Sequence, residues 1–166
     1  MDIIKATWRL GDGAIQSRVE QLQFLTYGSP TLRYALHLIS KTTFQKIKRN
    51  KKVLLGEALP VCAWFTEMVL KHAYIGVAVM HAELTQNERS KLADEFNDPN
   101  SSLVVLILLA DVSIVGLNLH ESCSTVFVMT ILRNLASEVQ LWGRGLRVSG
   151  RLRLYQFLLV IDTDVA

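Results

Sequence analysis

The chain has 166 residues, of which 50% are hydrophobic and 20% are charged, and its formal net charge is +3. This composition excludes an intrinsically disordered protein, and the length suits one domain around a single hydrophobic core. The small positive charge would attract a polyanion but does not identify one. The two cysteines lack the paired spacing of a zinc site or a disulfide framework, which favours a reducing compartment.

The first half of the chain predicts helices that alternate with a short apolar strand. Residues 1–28 contain several glycines and form a poorly specified lead-in. Ser29 suits a helix cap, Pro30 suits the first helical turn, and the apolar residues that follow recur at helical spacing. In chain order, the predicted elements are a helical piece near 17–25, a helix at 29–44, a strand at 53–56 and a helix that Pro60 opens at 60–73.

The second half predicts further apolar strands separated by a capped helix. Thr85 and Glu88 form a capping-box pattern at the start of that helix, which ends at Asn97, Asp98 and Pro99. The predicted strands lie at 74–80, 103–110, 124–129 and 154–161, and a helical segment begins after Asn134. Even the run at 103–110 is far too short to span a bilayer, so we expect no membrane partner. Apolar strands that alternate with helices predict an α/β fold, a parallel sheet with helices on both faces in a single lobe, with ligands at the carboxyl ends of the strands.

The stretch "EVQLWGRGLRVSGR" at 138–151 is the clearest candidate for a functional site. Gln140, Arg144, Arg147 and Arg151 recur at intervals of four, three and four, which would place them on one face of a helix. Guanidinium groups bind phosphate oxygens in a bidentate way. The stripe therefore predicts either a phosphate contact or a solvated helix face, and its spacing alone does not separate the two.

Three segments carry a resemblance to a known family: "KKVLLG" at 51–56, the run at 80–129, and the stretch at 138–151. In order and spacing they resemble the C-terminal RecA-like lobe of superfamily 2 helicases, most closely the Swi/Snf type of DNA-dependent ATPase in its divergent fungal forms. The most specific pieces are Gly-Leu-Asn-Leu at 116–119 and Gln-x-x-Gly-Arg-x-x-Arg at 140–147. The resemblance implies a helicase C-terminal domain at 29–166.

The same resemblance implies roles for individual residues. Arg144 and Arg147 would reach the phosphates of ATP across a cleft between two lobes, and Gln140 would organise them. The other implied nucleotide-site residues are Gly143 of the same motif and Gly116 and Asn118 of the preceding one. More weakly, the resemblance implies DNA-backbone contacts by Lys52, His81 and Thr85.

The resemblance also implies partners and a compartment. The cofactor would be ATP with Mg²⁺, bound only when an N-terminal helicase lobe completes the site, and the partner would be double-stranded DNA or chromatin in the nucleus. We expect no metal site within this chain, because the histidines lack ligand spacing. Two acidic pairs could bind a cation, but a solvated helix face is expected for Asp94 with Glu95 and an exposed tail for Asp162 with Asp164. Trp64 is expected in the core or at a lobe interface.

Departures from the family pattern keep a second hypothesis open. The sequence has no Gly-x-x-x-x-Gly-Lys-Ser/Thr phosphate-binding loop, so the chain alone should not hold ATP in the usual way. Ser113 and Ile114 stand where relatives have a glycine pair, and Val148 begins a segment that departs from the family's Ile-Gly-Gln. The alternative to half of an ATPase is therefore a catalytically inert helicase-fold module that binds protein or nucleic acid.

Overall fold

The computed structural model describes residues 17–44, 52–109, 119, 123–130 and 153–156. These residues form four helices and five strands. In chain order they are α1 (Arg18–Thr26), α2 (Pro30–Phe44), β1 (Lys52–Glu57), α3 (Pro60–His72), β2 (Val77–Met80), α4 (Gln86–Asn97), β3 (Val105–Leu109), β4 (Cys123–Val128) and β5 (Arg153–Gln156). Every predicted element within the described residues is present.

The described strands form one sheet in the order β2-β3-β1-β4-β5. All four strand pairs are parallel, and β1 lies in the centre between β3 and β4. Because parallel strands run in one direction, their carboxyl ends meet at a single edge, called here the carboxyl edge. Glu57, Met80, Leu109 and Val128 end four of the strands there.

Helices cover the sheet on both faces. The crossover that contains α3 connects the central strand β1 to the edge strand β2. The crossover that contains α4 connects β2 to β3 and so progresses across the sheet in the opposite direction. Since parallel crossovers are right-handed, connections that progress in opposite directions lie on opposite faces. Helix α1 packs against α3 and α2, which extends the α3 face. The predicted α/β lobe with helices on both faces is therefore confirmed.

The core lies at the centre of the sheet. All six residues of β1 and all five of β3 are buried, as expected for central parallel strands that are packed on both faces. Leu54, Ile107 and Phe127 are among the largest fully buried side chains and come from β1, β3 and β4. The continuous apolar runs that predicted these strands are thus explained by burial on two sides.

One strand begins later than its sequence predicted. The expected strand at 74–80 starts only at Val77, because Tyr74 adopts a left-handed φ of 57° and the Ile75 amide donates back to the Leu70 carbonyl. Gly76 then passes close to the backbone at Ser102, and a Cβ atom there would collide with the Ser102 carbonyl oxygen. The residues before Val77 in this segment therefore form a tight turn and not the start of a strand.

Two further predictions concern helices near the two ends of the chain. Helix α1 begins with a capping box, in which Ser17 and Glu20 exchange hydrogen bonds with each other's backbone amides. It confirms the helical piece predicted near 17–25. The helical segment predicted after Asn134 lies outside the described residues. Within the described part of the chain, no helix is long and apolar enough to cross a membrane.

Candidate functional site

Leu119, which ends the first of the two most specific motifs, is described and buried, whereas the predicted site residues of both motifs lie outside the described part of the chain. They are Gly116 and Asn118 in one motif, and Gln140, Gly143, Arg144 and Arg147 in the other. Their starting points are nevertheless fixed by neighbouring strands. Segment 110–118 follows the carboxyl end of β3, and segment 131–150 follows Thr130, two residues beyond the carboxyl end of β4. β3 and β4, the strands that precede the two segments in the chain, therefore both end at the carboxyl edge, on either side of β1.

A buried carboxyl group lies at the end of β1, between the ends of β3 and β4. Glu57 ends β1 and is only 3% exposed. Its Oε2 accepts a hydrogen bond from the Thr130 hydroxyl at 3.2 Å, and the Thr130 oxygen accepts one from the Ala58 amide at 2.8 Å. Burial raises the pKa of Glu57 from 4.5 to about 7, although the Thr130 hydrogen bond opposes the rise. Glu57 is therefore a desolvated acid that titrates near neutral pH.

Glu57 lines a groove of about 720 Å³ at the carboxyl edge. The first turn of α2, the first half of α3 and the ends of β1 and β4 enclose it, and the lining residues are Ser29, Thr31, Leu32, Glu57, Val61, Cys62, Phe65, Thr66, Met129 and Thr130. The pKa of the Cys62 thiol is raised, first by burial and then by the charge of Glu57. A concave, largely apolar pocket with a few polar groups is the usual form of a binding site.

Lys52 lies at the opposite end of β1. Its Nζ donates to the Asp98 carbonyl at 2.6 Å and to the Glu95 carbonyl at 3.3 Å, and it lies 5.5 Å from the ring centroid of Phe96. The side chain is buried, and burial lowers the pKa of Lys52 more than the charges of Asp98 and Glu95 raise it. Lys52 thus binds the carbonyls at the end of α4, and its position lends no support to a DNA contact, which stays a prediction.

His81 and Thr85 lie together at the carboxyl edge, next to the end of β2. The Nδ1 atom of His81 is 3.9 Å from a carboxylate oxygen of Glu83. The Thr85 hydroxyl donates to Glu88 Oε2 at 2.8 Å and accepts from the Glu88 amide at 3.3 Å. The Thr85 amide also donates to Glu88 Oε2, at 2.7 Å, and the two bonds that this carboxylate accepts, from the hydroxyl and from the amide, lower the pKa of Glu88. His81 and Thr85 thus both follow the carboxyl end of β2, whereas Lys52 begins β1 at the opposite end of the sheet.

The described residues contain no group of three or more histidine, cysteine or acidic side chains placed to hold a metal ion. Asp94 and Glu95, which form an acidic pair in the sequence, are both exposed on α4. Trp64, expected in the core or at a lobe interface, is 55% exposed. It is not a core residue in this lobe.

Sequence reasoning missed Glu57 and Thr130. A signal for Glu57 was present, because an acid directly after the apolar run "VLLG" falls at the carboxyl end of a predicted strand. Thr130 gave no comparable signal, since its role depends on the pairing of β1 with β4. A pair formed by residues so distant in the sequence becomes visible only once the strand order is known.

Comparison with known proteins places this arrangement among helicase lobes. The family model described as "Helicase conserved C-terminal domain" matches residues 37–149. The SNF2 domain-containing protein CLASSY 3 of Arabidopsis thaliana is 32% identical over 84 residues, which is 51% of this chain and 6% of that protein.

Solved structures show the same fold at lower identity. The C-terminal part of the Fun30 ATPase domain matches 75% of this chain and 40% of its own, with a TM-score of 0.65 and 21% identity. Domain 2 of the DEAD-box helicase Mss116p, bound to an RNA duplex, matches 77% of this chain and 49% of its own, with a TM-score of 0.65 and 19% identity. The fold is thus RecA-like, and the chain spans less than half of each of these relatives.

Proposed function

The chain belongs to the helicase conserved C-terminal domain family, and on that premise we propose that it is the C-terminal lobe of an ATP-dependent DNA translocase. The resemblance to the C-terminal lobe of a Swi/Snf-type superfamily 2 helicase, first inferred from sequence motifs, is confirmed by the family match and by the similarity to an SNF2-domain protein. The observation that carries the proposal is that the matched residues, 37–149, include Gln-x-x-Gly-Arg-x-x-Arg at 140–147.

The proposed contribution of this lobe is positive charge at the ATP phosphates. Arg144 and Arg147 stabilise charge that develops on the transferred phosphoryl group, and Gln140 orients them. Arginines supplied from a neighbouring element act in this way because phosphoryl transfer depends on positioned charge. Support comes from the carboxyl edge, where the strands that precede the two motifs in the chain end and where ligands of parallel α/β sheets bind.

ATP and Mg²⁺ depend on a second lobe in this proposal. None of the described residues that line the groove is a cation, and the acid among them, Glu57, would repel phosphate. The described residues alone therefore do not fit a nucleotide. The phosphate-binding loop and the groups that hold Mg²⁺ belong to an N-terminal helicase lobe, and this chain adds its two arginines.

The proposed nucleic-acid partner is double-stranded DNA, including DNA in chromatin, which makes the protein nuclear. The net charge of +3 and a basic segment at 133–153 can neutralise only a few phosphates. Binding by this chain should therefore be weak, independent of sequence and strongly reduced by salt. Lys52, His81 and Thr85 remain weak candidates for backbone contacts.

ATP turnover by two proteins tests the proposal. One is this chain alone, and the other is a two-lobe protein in which an N-terminal helicase lobe precedes it. We expect no turnover above background for the chain alone, with or without DNA, and DNA-stimulated turnover for the two-lobe protein. Robust turnover by the purified chain alone would contradict the shared-site proposal.

A second candidate function is an inert helicase-fold module that binds other molecules. The departures at Ser113, Ile114 and Val148 favour it, since they change the loops that relatives use around the nucleotide. A two-lobe protein that binds DNA but shows no DNA-stimulated turnover would select this candidate.

A further inference from the structure

An exposed apolar ridge continues the groove along α3. Val61, Trp64, Phe65 and Met68 are 66%, 55%, 39% and 46% exposed. Their spacing of three, four and seven residues places them on one face of the helix, and the opposite face buries Ala63, Thr66, Val69 and Leu70. Val61 and Phe65 also line the groove. Ridge and groove are thus one continuous apolar surface, called here the α3 surface.

Such a surface marks a place where another molecule binds. Single exposed apolar side chains are ordinary on a protein, whereas a contiguous row of large ones beside a concave groove is typical of an interaction site. Four large side chains on one helical face fit a partner that lies along α3. The surface is longer than the groove, so a molecule confined to the groove would leave Trp64 and Met68 uncovered.

The charge of that partner is indicated by Glu57, an acid that lines the groove. Glu57 is 97% buried, since only 3% of it is exposed, and its described hydrogen bond is the one from Thr130 to Oε2. Among the described residues, no cation lies within ion-pair distance of this carboxyl. A buried carboxylate is stabilised when a cation and its hydrogen bonds replace the lost water. The position therefore favours a cationic group and disfavours a phosphate.

We propose that the α3 surface docks a linear peptide segment of a partner protein, which inserts one Lys or Arg side chain into the groove to pair with Glu57. Lysine and arginine carry their charge on an apolar stem, and that stem matches walls made by Leu32, Val61 and Phe65. Apolar residues next to the cation in the peptide cover Trp64 and Met68. Docking of this peptide does not require ATP.

Fluorescence anisotropy with four labelled, capped heptapeptides tests the proposal. The peptides share an apolar sequence and differ only in the central residue, which is Lys, Arg, norleucine or Glu. Because a hydrogen bond to a charged group is stronger than one between neutral groups, the Lys and Arg peptides should bind the 166-residue chain at least about tenfold more tightly than the norleucine peptide. The Glu peptide should bind most weakly. Equal affinities for all four peptides, or no binding of any, would overturn the proposal.

Three variants separate the carboxyl from general effects. Glu57→Gln should remove the preference for Lys over norleucine, whereas Glu83→Gln, which removes an acid that is 92% exposed, should leave it unchanged. Val61→Lys alters an exposed position, so it keeps the fold, and it should weaken the Lys peptide at least about tenfold by like-charge repulsion. An unchanged preference in Glu57→Gln, or unchanged affinity of Val61→Lys for the Lys peptide, would overturn the proposal.

Other occupants of the α3 surface give distinct results. If a second copy of the chain covers it, sedimentation should show a dimer that Val61→Lys dissociates, and the peptides should compete poorly. If the N-terminal helicase lobe covers it, the two-lobe protein should bind none of the peptides that the single lobe binds. Either result would overturn peptide docking while leaving the proposed ATPase role intact.

Discussion

Replacing Glu57 with glutamine should make the protein more stable at neutral and basic pH but much less so in acid. The pKa of the folded-state carboxyl is raised from 4.5 to about 7 by burial. Between these values the folded protein holds a proton that the unfolded chain has released, so the free energy of unfolding of the wild type falls as the pH rises through this range. Glutamine keeps the shape and an acceptor for Thr130 but never ionises.

The size of the effect follows from the pKa difference. One unit of pKa corresponds to about 1.4 kcal/mol, so the stability gap between Glu57→Gln and the wild type should widen by about 2.5 kcal/mol from pH 5 to pH 8. Urea unfolding at several pH values measures the gap, with Glu83→Gln as the control that removes an exposed carboxyl group. A gap that does not change for Glu57→Gln would refute the assignment of a desolvated carboxyl. A gap that narrows would mean that a cation stabilises the ionised form.

Three further substitutions and one control variant test other parts of the structure by urea unfolding and DNA binding. Lys52→Met should lower the free energy of unfolding by about 1–3 kcal/mol, because two carbonyls at the end of α4 lose a charged donor; a loss of DNA affinity with unchanged stability would instead support the DNA contact. Thr85→Ala should cost about 1 kcal/mol through loss of the helix cap, and equal stability would contradict that role. Gly76→Ala should lower the free energy of unfolding by more than about 2 kcal/mol, because its Cβ collides with the backbone at Ser102. Gly28→Ala is the control: its Cβ meets open space, so the free energy of unfolding should change by less than about 0.5 kcal/mol. Similar effects at both glycines would refute the close approach of Gly76 to Ser102.

The sheet was predictable because its central strands are apolar on both faces. The runs that contain β1 and β3 read as continuous hydrophobic segments, which is the pattern of a strand buried on both sides. The start of β2 was not predictable in the same way. Tyr74 and Ile75 are apolar or aromatic like strand residues, but the turn depends on the Tyr74 backbone conformation and on the approach of Gly76 to Ser102.

The roles of charged residues were harder to predict, because they depend on contacts distant in sequence. Lys52 belongs to a basic link that suggests a solvated or DNA-facing side chain, yet it meets the carbonyl of Asp98 after the chain has formed α3, β2 and α4. Glu57 looks like an ordinary strand-end acid until β4 brings Thr130 beside it. Local patterns fix periodicity and caps, whereas burial of a charge is decided by which strands pair.

The central claim, that this lobe supplies arginines to a shared ATP site, is tested most directly by DNA-stimulated ATP turnover of the two-lobe protein. Arg144→Ala and Arg147→Ala should each lower kcat by about 10³, the low end for loss of a phosphate-stabilising arginine, with thermal unfolding and DNA affinity nearly unchanged. Arg151→Ala, just beyond the matched motif, is the control and should have little effect. Equal, small losses of turnover in all three variants would contradict the claim and identify the stretch at 138–151 as a solvated surface.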